Sequence, residues 1–302
     1  MSFDPEKAET NWEKDDIILG IDEAGRGPVM GPMVYACAYW KEEYDKDIRK
    51  KFKFNDSKAL RAEEREKMFE NIKSHPNIIR YELIILPPDY ISKEMLKREK
   101  VSLNQISQDS AKKLIKMAMD KKANIRKIFV DTVGPAESYE ILLKKSLPDD
   151  TIQVKVEPKA DATYECVSAA SIVAKVTRDS IIETLEKTDK ECGSGYPSDP
   201  KTKEWLKNNY DNVFGFGREV RFSWKTVDNM FKENGNKCEW EDYDSEEESQ
   251  KNKKYKKGKK GKDEEDNKNT TLDNIIKKEE NNNKNIVRNF YEKNNIDFNV
   301  DL

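Results

Sequence analysis

Apolar runs and polar stretches alternate along the first 235 residues. Ile17-Ile18-Leu19-Gly20-Ile21 is an unbroken apolar run ending at Asp22, the pattern of a buried strand. Met33 to Trp40 is a second run, near enough along the chain to pair with the first. Tyr81 to Leu86 is a third, stopped by Pro87-Pro88. Leu103, Ile106, Ala111, Leu114, Ile115 and Ala118 fall at helical spacing, which predicts a helix over residues 102–122. Ile128-Phe129-Val130 predicts a strand ending at Asp131, and Ile152 to Val156 alternates as a strand does. Val167 to about Leu185 reads as a long helix, with the small residues Ser168, Ala169, Ala170 and Ala174 along one face for close packing. Strands interleaved with helices at this spacing predict an α/β layer fold. No internal repeat is visible.

The pattern stops near residue 235. Residues 239–248 hold seven acids in ten, residues 251–262 hold eight lysines in twelve, and an Asn/Lys/Glu-rich run follows to about 285. No apolar period persists there, so the expected organisation is a folded domain over residues 1–235 and a charged, mostly disordered tail over 236–302. The net charge of −3 divides evenly, with 42 basic and 43 acidic side chains in residues 1–240. Any nucleic-acid site in the body must therefore be a local patch. No run of 18 apolar residues is present, which excludes a membrane-spanning helix, and the first residues carry no pattern of a secretory leader. Cys37, Cys166, Cys192 and Cys238 are scattered without a CxxC pair, which argues against a disulfide framework or zinc knuckle. His75 is the one histidine. It precedes Pro76 in a polar connection and reads as a loop residue, so histidine-based catalysis has little to draw on.

Carboxylates remain. Asp22-Glu23 follows the first strand, Asp131 follows the fourth, and Asp161 precedes the long helix. Residues at strand carboxyl ends line the ligand crevice of an open α/β sheet. Converging carboxylates repel unless a cation intervenes, and an all-oxygen donor set favours Mg²⁺ or Mn²⁺. Two such ions support phosphodiester hydrolysis without a histidine. For any one of these acids, a helix N-cap or turn role explains the position equally simply.

Gly25-Arg26-Gly27-Pro28-Val29-Met30-Gly31 is a glycine-rich loop whose N–H groups can approach a phosphate or sugar. Its GxGxxxG spacing is one residue longer than a dinucleotide fingerprint, and Pro28 does not suit the start of a crossover helix. A tight turn between two strands is the alternative. Lys58, in Asn55-Asp56-Ser57-Lys58, is a candidate phosphate contact or a solvated surface lysine. Tyr196, in the turn-rich Gly193-Ser194-Gly195-Tyr196-Pro197, either stacks on a sugar or base or packs on the surface. Arg218, Arg221, Phe222 and Trp224 mix basic and aromatic groups in the manner of a nucleic-acid surface.

Taken together, these segments resemble one family. Gly20-Ile21-Asp22-Glu23-Ala24-Gly25-Arg26-Gly27-Pro28 through Tyr35 is similar to the signature of type 2 ribonuclease H. Asp56-Ser57-Lys58, Phe129 to Gly134, Lys159-Ala160-Asp161-Ala162 and Ser168 to Val176 follow in the family's order. Gly193 to Pro197 with Asp199-Pro200-Lys201-Thr202 resembles the eukaryotic and archaeal branch. The resemblance covers about residues 15–230 and leaves out the tail.

The resemblance implies a ribonuclease H-like fold: a mixed sheet flanked by helices, then a helical C-terminal region. It implies cleavage of RNA in RNA–DNA hybrids, and cutting 5′ of single ribonucleotides in duplex DNA to leave 3′-hydroxyl and 5′-phosphate ends. Ribonucleotide removal and primer processing in DNA replication would follow, with a nuclear location. By matching motif, the metal-site acids are Asp22, Glu23, Asp131 and Asp161, serving a two-ion mechanism with Mg²⁺ or Mn²⁺. The backbone of Gly25-Arg26-Gly27 and the Tyr196 hydroxyl would read the 2′-hydroxyl, the Tyr196 ring would stack on the next sugar, and Lys58 would hold a phosphate. For Arg26 the expected role is the backbone's, not the guanidinium's. Length and tail fit the catalytic chain of the eukaryotic heterotrimeric form, with two accessory subunits. The lysine block over 251–262 reads as a nuclear-import signal, a nucleic-acid tether or compositional drift. Lys284 to Tyr291 loosely resembles a sliding-clamp peptide, with Lys in place of the usual Gln. A non-catalytic hybrid-binding subunit, or another ribonuclease H-like nuclease, are the rival readings. The complete set of four acids argues against the first, and the Gly-Arg-Gly and Tyr196 segments against the second.

Overall fold

The computed structural model of the chain describes residues 3–54, 60–188 and 192–236. Strands β1 (Ile17–Ala24) and β2 (Met33–Lys41) come first, then a 3-10 turn at Glu42–Tyr44 and helices α1 (Asp45–Phe52) and α2 (Ala62–Ser74). β3 (Arg80–Leu86), α3 (Pro88–Leu96), α4 (Leu103–Asp120), β4 (Ile125–Asp131), α5 (Ala136–Ser146) and β5 (Gln153–Glu157) follow. The chain continues through a short α6 (Ala160–Thr163), the long α7 (Glu165–Thr188), α8 (Pro200–Asn208) and α9 (Lys225–Asn234). The strands form one sheet in the order β3-β2-β1-β4-β5. β3, β2 and β1 run antiparallel, and β4 and β5 extend the sheet parallel to β1. The mixed sheet flanked by helices is the expected architecture. The readings for Lys58 and for residues 237–302 (the lysine block and the clamp-like segment included) lie outside the described residues.

Period-two alternation divides the sheet's side chains between two faces. Ile17, Leu19 and Ile21 of β1 join Met33, Tyr35, Cys37 and Tyr39 of β2 in a core closed by Leu114 and Ile115 of α4 and Tyr139 and Leu143 of α5. Ile17, Leu19 and Ile21 are fully buried. Each such burial contributes roughly 1.5–3 kcal/mol, so a slip of one residue in β1 would expose all three and is strongly disfavoured. Ser102 starts α4, its hydroxyl accepting from Gln105 N at 3.1 Å.

The opposite face receives α7, and the approach is close enough to need glycine. A Cβ on Gly20 would sit 2.2 Å from the carbonyl carbon of Cys166 and 2.3 Å from Val167 N. Ser168, Ala169, Ala170, Ser171 and Ala174 of α7 are all fully buried, as close packing of this small-residue stretch requires. A second, smaller core joins Val29 and Met30 of the β1–β2 connection to Trp205 and Leu206 of α8 and Val227 of α9. The C-terminal helices thus pack on the glycine-rich loop. Among the described residues no helix is long and apolar enough to cross a membrane.

One expectation needs correction. Asp22 and Glu23 do not follow β1; they lie within it, because pairing with β2 continues as Asp22↔Ala36, Glu23↔Tyr35 and Ala24↔Val34. The parallel pairing with β4 ends earlier, at Ile21↔Val130.

Candidate active site

The end of the β1–β4 pairing opens the sheet where the acids stand. Asp22 lies one residue beyond that pair, and Asp131 is the last residue of β4. After β5, Lys159 takes the left-handed conformation (φ 59°) and turns the chain back into α6. Asp131 Oδ1 then accepts from Ala160 N at 3.2 Å and Thr132 N at 3.1 Å. Buried Asp161 follows Ala160 directly. Chain-distant residues of β1, β4 and α6 therefore meet near the carboxyl ends of the two central strands.

Burial pushes the Asp22 carboxyl up to about 7; a hydrogen bond with Ser171 of α7 pulls it down, and the charges of Asp131 and Asp161 push it up. Glu23 is raised to about 8, first by burial and then by Asp22, against the pull of the Arg26 guanidinium. Successive strand residues point to opposite faces. Asp22 accordingly engages α7, while Glu23 stands on the α4–α5 side. That split explains why, among the described residues, no three of His, Cys, Asp and Glu are gathered to hold a metal ion as their side chains stand. Even so, Glu23 Oε2 is buried without a hydrogen-bond partner. An orphaned carboxylate oxygen beside mutually repelling acids fits a cation as the missing counter-charge.

The glycine-rich loop is held from behind. Arg221 is fully buried, and its guanidinium donates to Gly25 O at 2.6 Å, Arg26 O at 3.1 Å and Gly31 O at 2.9 and 3.0 Å. Trp224 Nε1 donates to Gly27 O at 3.0 Å, and the Arg221 guanidinium lies 4.7 Å from the Trp224 ring. Three successive carbonyls are thus captured on one side. Among the described residues the N–H groups of Arg26 and Gly27 donate to nothing, so the loop's donor side is left unspent. Gly25 has φ +78°, and a Cβ there would lie 2.4 Å from Arg178 Nε. The basic–aromatic surface expected of Arg221 and Trp224 is corrected accordingly, since Arg221 faces inward as a scaffold. The Arg26 side chain turns away from the loop onto α4, where it donates to Ser107 Oγ and Asn104 Oδ1.

Tyr196 comes to the same loop. Gly195 O accepts from Val29 N at 2.8 Å, which fastens the Gly193–Pro197 turn to the β1–β2 connection. The turn is fixed in its own right: Asp199 caps α8 and accepts from the Ser194 N–H and hydroxyl, and Thr202 Oγ1 accepts from Gly195 N. The Tyr196 ring is 43% exposed and abuts Gly27, where a Cβ would meet Cε1 at 3.4 Å. The guanidinium of Arg178 stands 6.0 Å from the ring centre. Glu23, the glycine loop and Tyr196 line one open groove of about 1250 Å³, which Arg65, Lys175, Arg178 and Lys201 also line. Asp179, Glu183 and Asp199 line the same groove, and Arg65 pairs with Asp179 at 3.2 Å, so its charge is mixed rather than uniformly positive. Sequence alone points neither to Arg178 nor to the inward role of Arg221, because only the fold shows which arginines are buried.

Residues 19–227 match the family model described as Ribonuclease HII. Among curated relatives, a ribonuclease H2 subunit of Homo sapiens is 45% identical over 239 residues, covering 77% of this chain and 79% of that protein. A crystal structure of ribonuclease H2 from Pyrococcus horikoshii superposes with TM-score 0.62 at 37% identity, covering 72% of this chain and 98% of the other. The RNase HII in a PCNA:RNase HII complex from Archaeoglobus fulgidus superposes with TM-score 0.58 at 32% identity, over 69% of this chain and 95% of the other.

Proposed function

Because the chain belongs to the ribonuclease HII family and is a ribonuclease H-type endonuclease, we propose that it cuts 5′ of single ribonucleotides embedded in duplex DNA as well as within RNA–DNA hybrids. The observation that carries this reading is the glycine loop, whose carbonyls are engaged at the back while the Arg26 and Gly27 N–H groups find no acceptor among the described residues. Free donors at fixed positions beside a tyrosine hydroxyl are what recognition of one 2′-hydroxyl calls for. Tyr196 would add its own hydroxyl and present its ring to the next sugar, which must lack a 2′-hydroxyl to lie flat on it. Lys58 would hold a nearby phosphate.

Asp22, Glu23, Asp131 and Asp161 would hold Mg²⁺ or Mn²⁺. The donor set is all carboxylate, the acids repel one another, and Glu23 Oε2 lacks a hydrogen-bond partner among the described residues. Bound there, a pair of such ions would activate the attacking water and offset charge on the departing 3′ oxygen. The protein's own part is orientation. Asp131 is held by the Thr132 and Ala160 amides and Asp22 by Ser171, while the glycine loop and Tyr196 set the ribose in register with them. As catalytic chain of a heterotrimer it would work with two accessory subunits, and the 284–291 segment would offer a weak contact to a sliding clamp. Replication- and repair-linked removal of ribonucleotides in the nucleus follows from that assignment.

A gel assay on a DNA duplex carrying one ribonucleotide, with Mg²⁺ and then EDTA, tests the reading. A single cut 5′ of the ribonucleotide is expected, abolished by EDTA and by Asp131→Asn while hybrid binding survives. An intact single-ribonucleotide duplex beside a fully cut uniform hybrid would defeat the proposed specificity. Cleavage that persists in EDTA would defeat the metal assignment.

A further inference from the structure

Asp161 sits on a four-residue helix whose position is set from outside. α6 is too short to hold a shape by its own hydrogen bonds, and the chain enters it through the left-handed Lys159. At its start, Ala160 N donates to Asp131 Oδ1 at 3.2 Å, which ties the residue before Asp161 to β4. Just past its end, the Tyr164 ring stacks on Phe129 of β4, with 4.0 Å between ring centres and 18° between planes. The remaining tie comes from another part of the chain. Arg49 of α1 donates through Nη2 to the carbonyl of Thr163, the last residue of α6, at 3.1 Å. Through Nε it donates to Oε2 of Glu165, the first residue of α7, at 3.2 Å. A planar guanidinium holds both partners in one geometry, so a single side chain sets the joint between the two helices. Glu165 is a firm anchor for it. Its side chain is fully buried, and Oε1 accepts from Phe54 N at 2.7 Å. The adjoining Cys166 and Val167 are the backbone that lies against Gly20, so this end of α7 is seated on the strand that carries Asp22 and Glu23.

We propose that Arg49 is a positioning residue for the metal site: by clasping Thr163 O and Glu165 across the α6–α7 joint, it fixes α6 so that Asp161 stands in register with Asp131. The inference rests on the metal role proposed above for Asp161. Each tie constrains a different part of the turn. The Ala160 bond sets where the turn begins, and the Arg49 clasp sets the direction in which it leaves. Without the clasp, α6 can pivot about Ala160 and swing the Asp161 carboxylate. Mg²⁺ demands oxygens at about 2.0–2.1 Å in near-octahedral array, so even a small swing weakens binding. Groups that orient a ligand from behind commonly change metal affinity by roughly 10- to 100-fold. The Ala160 and Tyr164 ties remain when the clasp is lost, so the low end of that range is expected. The Arg49 side chain is 46% exposed, which makes a direct contact to a substrate phosphate the rival role.

The test uses the full chain with two variants. Arg49→Lys keeps the charge beside Glu165 but lacks the fork that reaches both partners. Glu165→Gln keeps an acceptor for Phe54 N and removes the charge that holds Arg49. Mn²⁺ binding is titrated without substrate, by water-proton relaxation, beside urea unfolding of each protein. Expected are urea midpoints close to the parent and Mn²⁺ binding about tenfold weaker in each variant. Hybrid cleavage should recover at saturating Mn²⁺, with KM for the hybrid unchanged. In an Asp161→Asn background, Arg49→Lys should weaken Mn²⁺ binding no further, because its effect passes through that carboxylate. Parental Mn²⁺ affinity in both variants would overturn the inference while leaving the metal role intact. A raised KM for the hybrid at unchanged Mn²⁺ affinity would make Arg49 a phosphate contact instead. Urea midpoints far below the parent in both variants would make the clasp a support of the fold alone and overturn the inference as well. A parent protein that binds no Mn²⁺ would overturn the metal role and this inference with it.

Discussion

Replacing Arg221 by glutamine isolates the support of the glycine loop. The guanidinium makes four hydrogen bonds to three carbonyls, the buried one of Gly31 and the part-buried ones of Gly25 and Arg26. Bonds from a charged donor contribute about 1.5–3 kcal/mol each, and every carbonyl left unpaired costs about 1–3 kcal/mol. A glutamine amide can serve one of the three carbonyls, so two are abandoned and the loss comes to roughly 2–6 kcal/mol. A typical domain has only about 5–15 kcal/mol to lose. Some of the cost is recovered, because burial and repulsion by Arg178 press the proton affinity of Arg221 down to about 9, a sign that its charge is poorly solvated. The lower half of the range is therefore expected, about 2–4 kcal/mol. Urea unfolding measures it, and cleavage of hybrid and single-ribonucleotide substrates well below the melting temperature separates loop disorder from global unfolding. The folded variant should lose at least tenfold in cleavage of the single-ribonucleotide duplex. A variant within 1 kcal/mol of the parent that cuts both substrates normally would show that this arginine does not hold the loop.

Three further outcomes follow from the site and the sheet. In metal-free protein, Asp22 at about 7 and Glu23 at about 8 bind protons that the unfolded chain has released above about pH 4, so stability falls as pH rises from 5 to 8. Mg²⁺ competes for the same oxygens and stabilises more at pH 8 than at pH 5; melting curves with EDTA that stay flat or climb across this range would contradict the coupling. Tyr196→Phe keeps the ring against Gly27 and removes one hydroxyl, so cleavage at a single ribonucleotide should drop about tenfold and uniform hybrids less. Equal losses on both substrates would take that hydroxyl out of the sensor. Gly20→Ala drives a methyl to within 2.2 Å of the α7 backbone, and a cost of at least ~3 kcal/mol is expected in urea unfolding; a near-parental midpoint would mean that α7 can move away.

The strands and the two longest helices were legible because each buries a continuous or periodic apolar face. The small-residue face of α7 announced close packing, and the matching Gly20 lay in plain sight within the first strand. The shorter helices were not legible, since α1 and α8 carry only two or three buried side chains each among many lysines. The acids were recognisable by motif, but their orientation was not. Whether β1 stops at Asp22 or runs on to Ala24 depends on how far β2 follows it, and that pairing puts adjacent acids on opposite faces. Arg221 misled for a related reason. A basic residue among aromatics reads as a surface until α9 and the β1–β2 loop are seen to close over it.

The bonds from Arg221 to the glycine loop join residues 190 to 196 positions apart. On a ribosome the motif that bears Asp22 emerges early, yet its clamp is among the last described parts to be made. A nascent chain can pair its hairpin long before that loop is pinned, and the closure entropy of so long a span must be met by late docking of α8 and α9. Premature termination between Asp161 and Arg221 would therefore release a chain with every acid in place and no means of holding its substrate-reading loop, so such partial products would be poor nucleases rather than unselective ones.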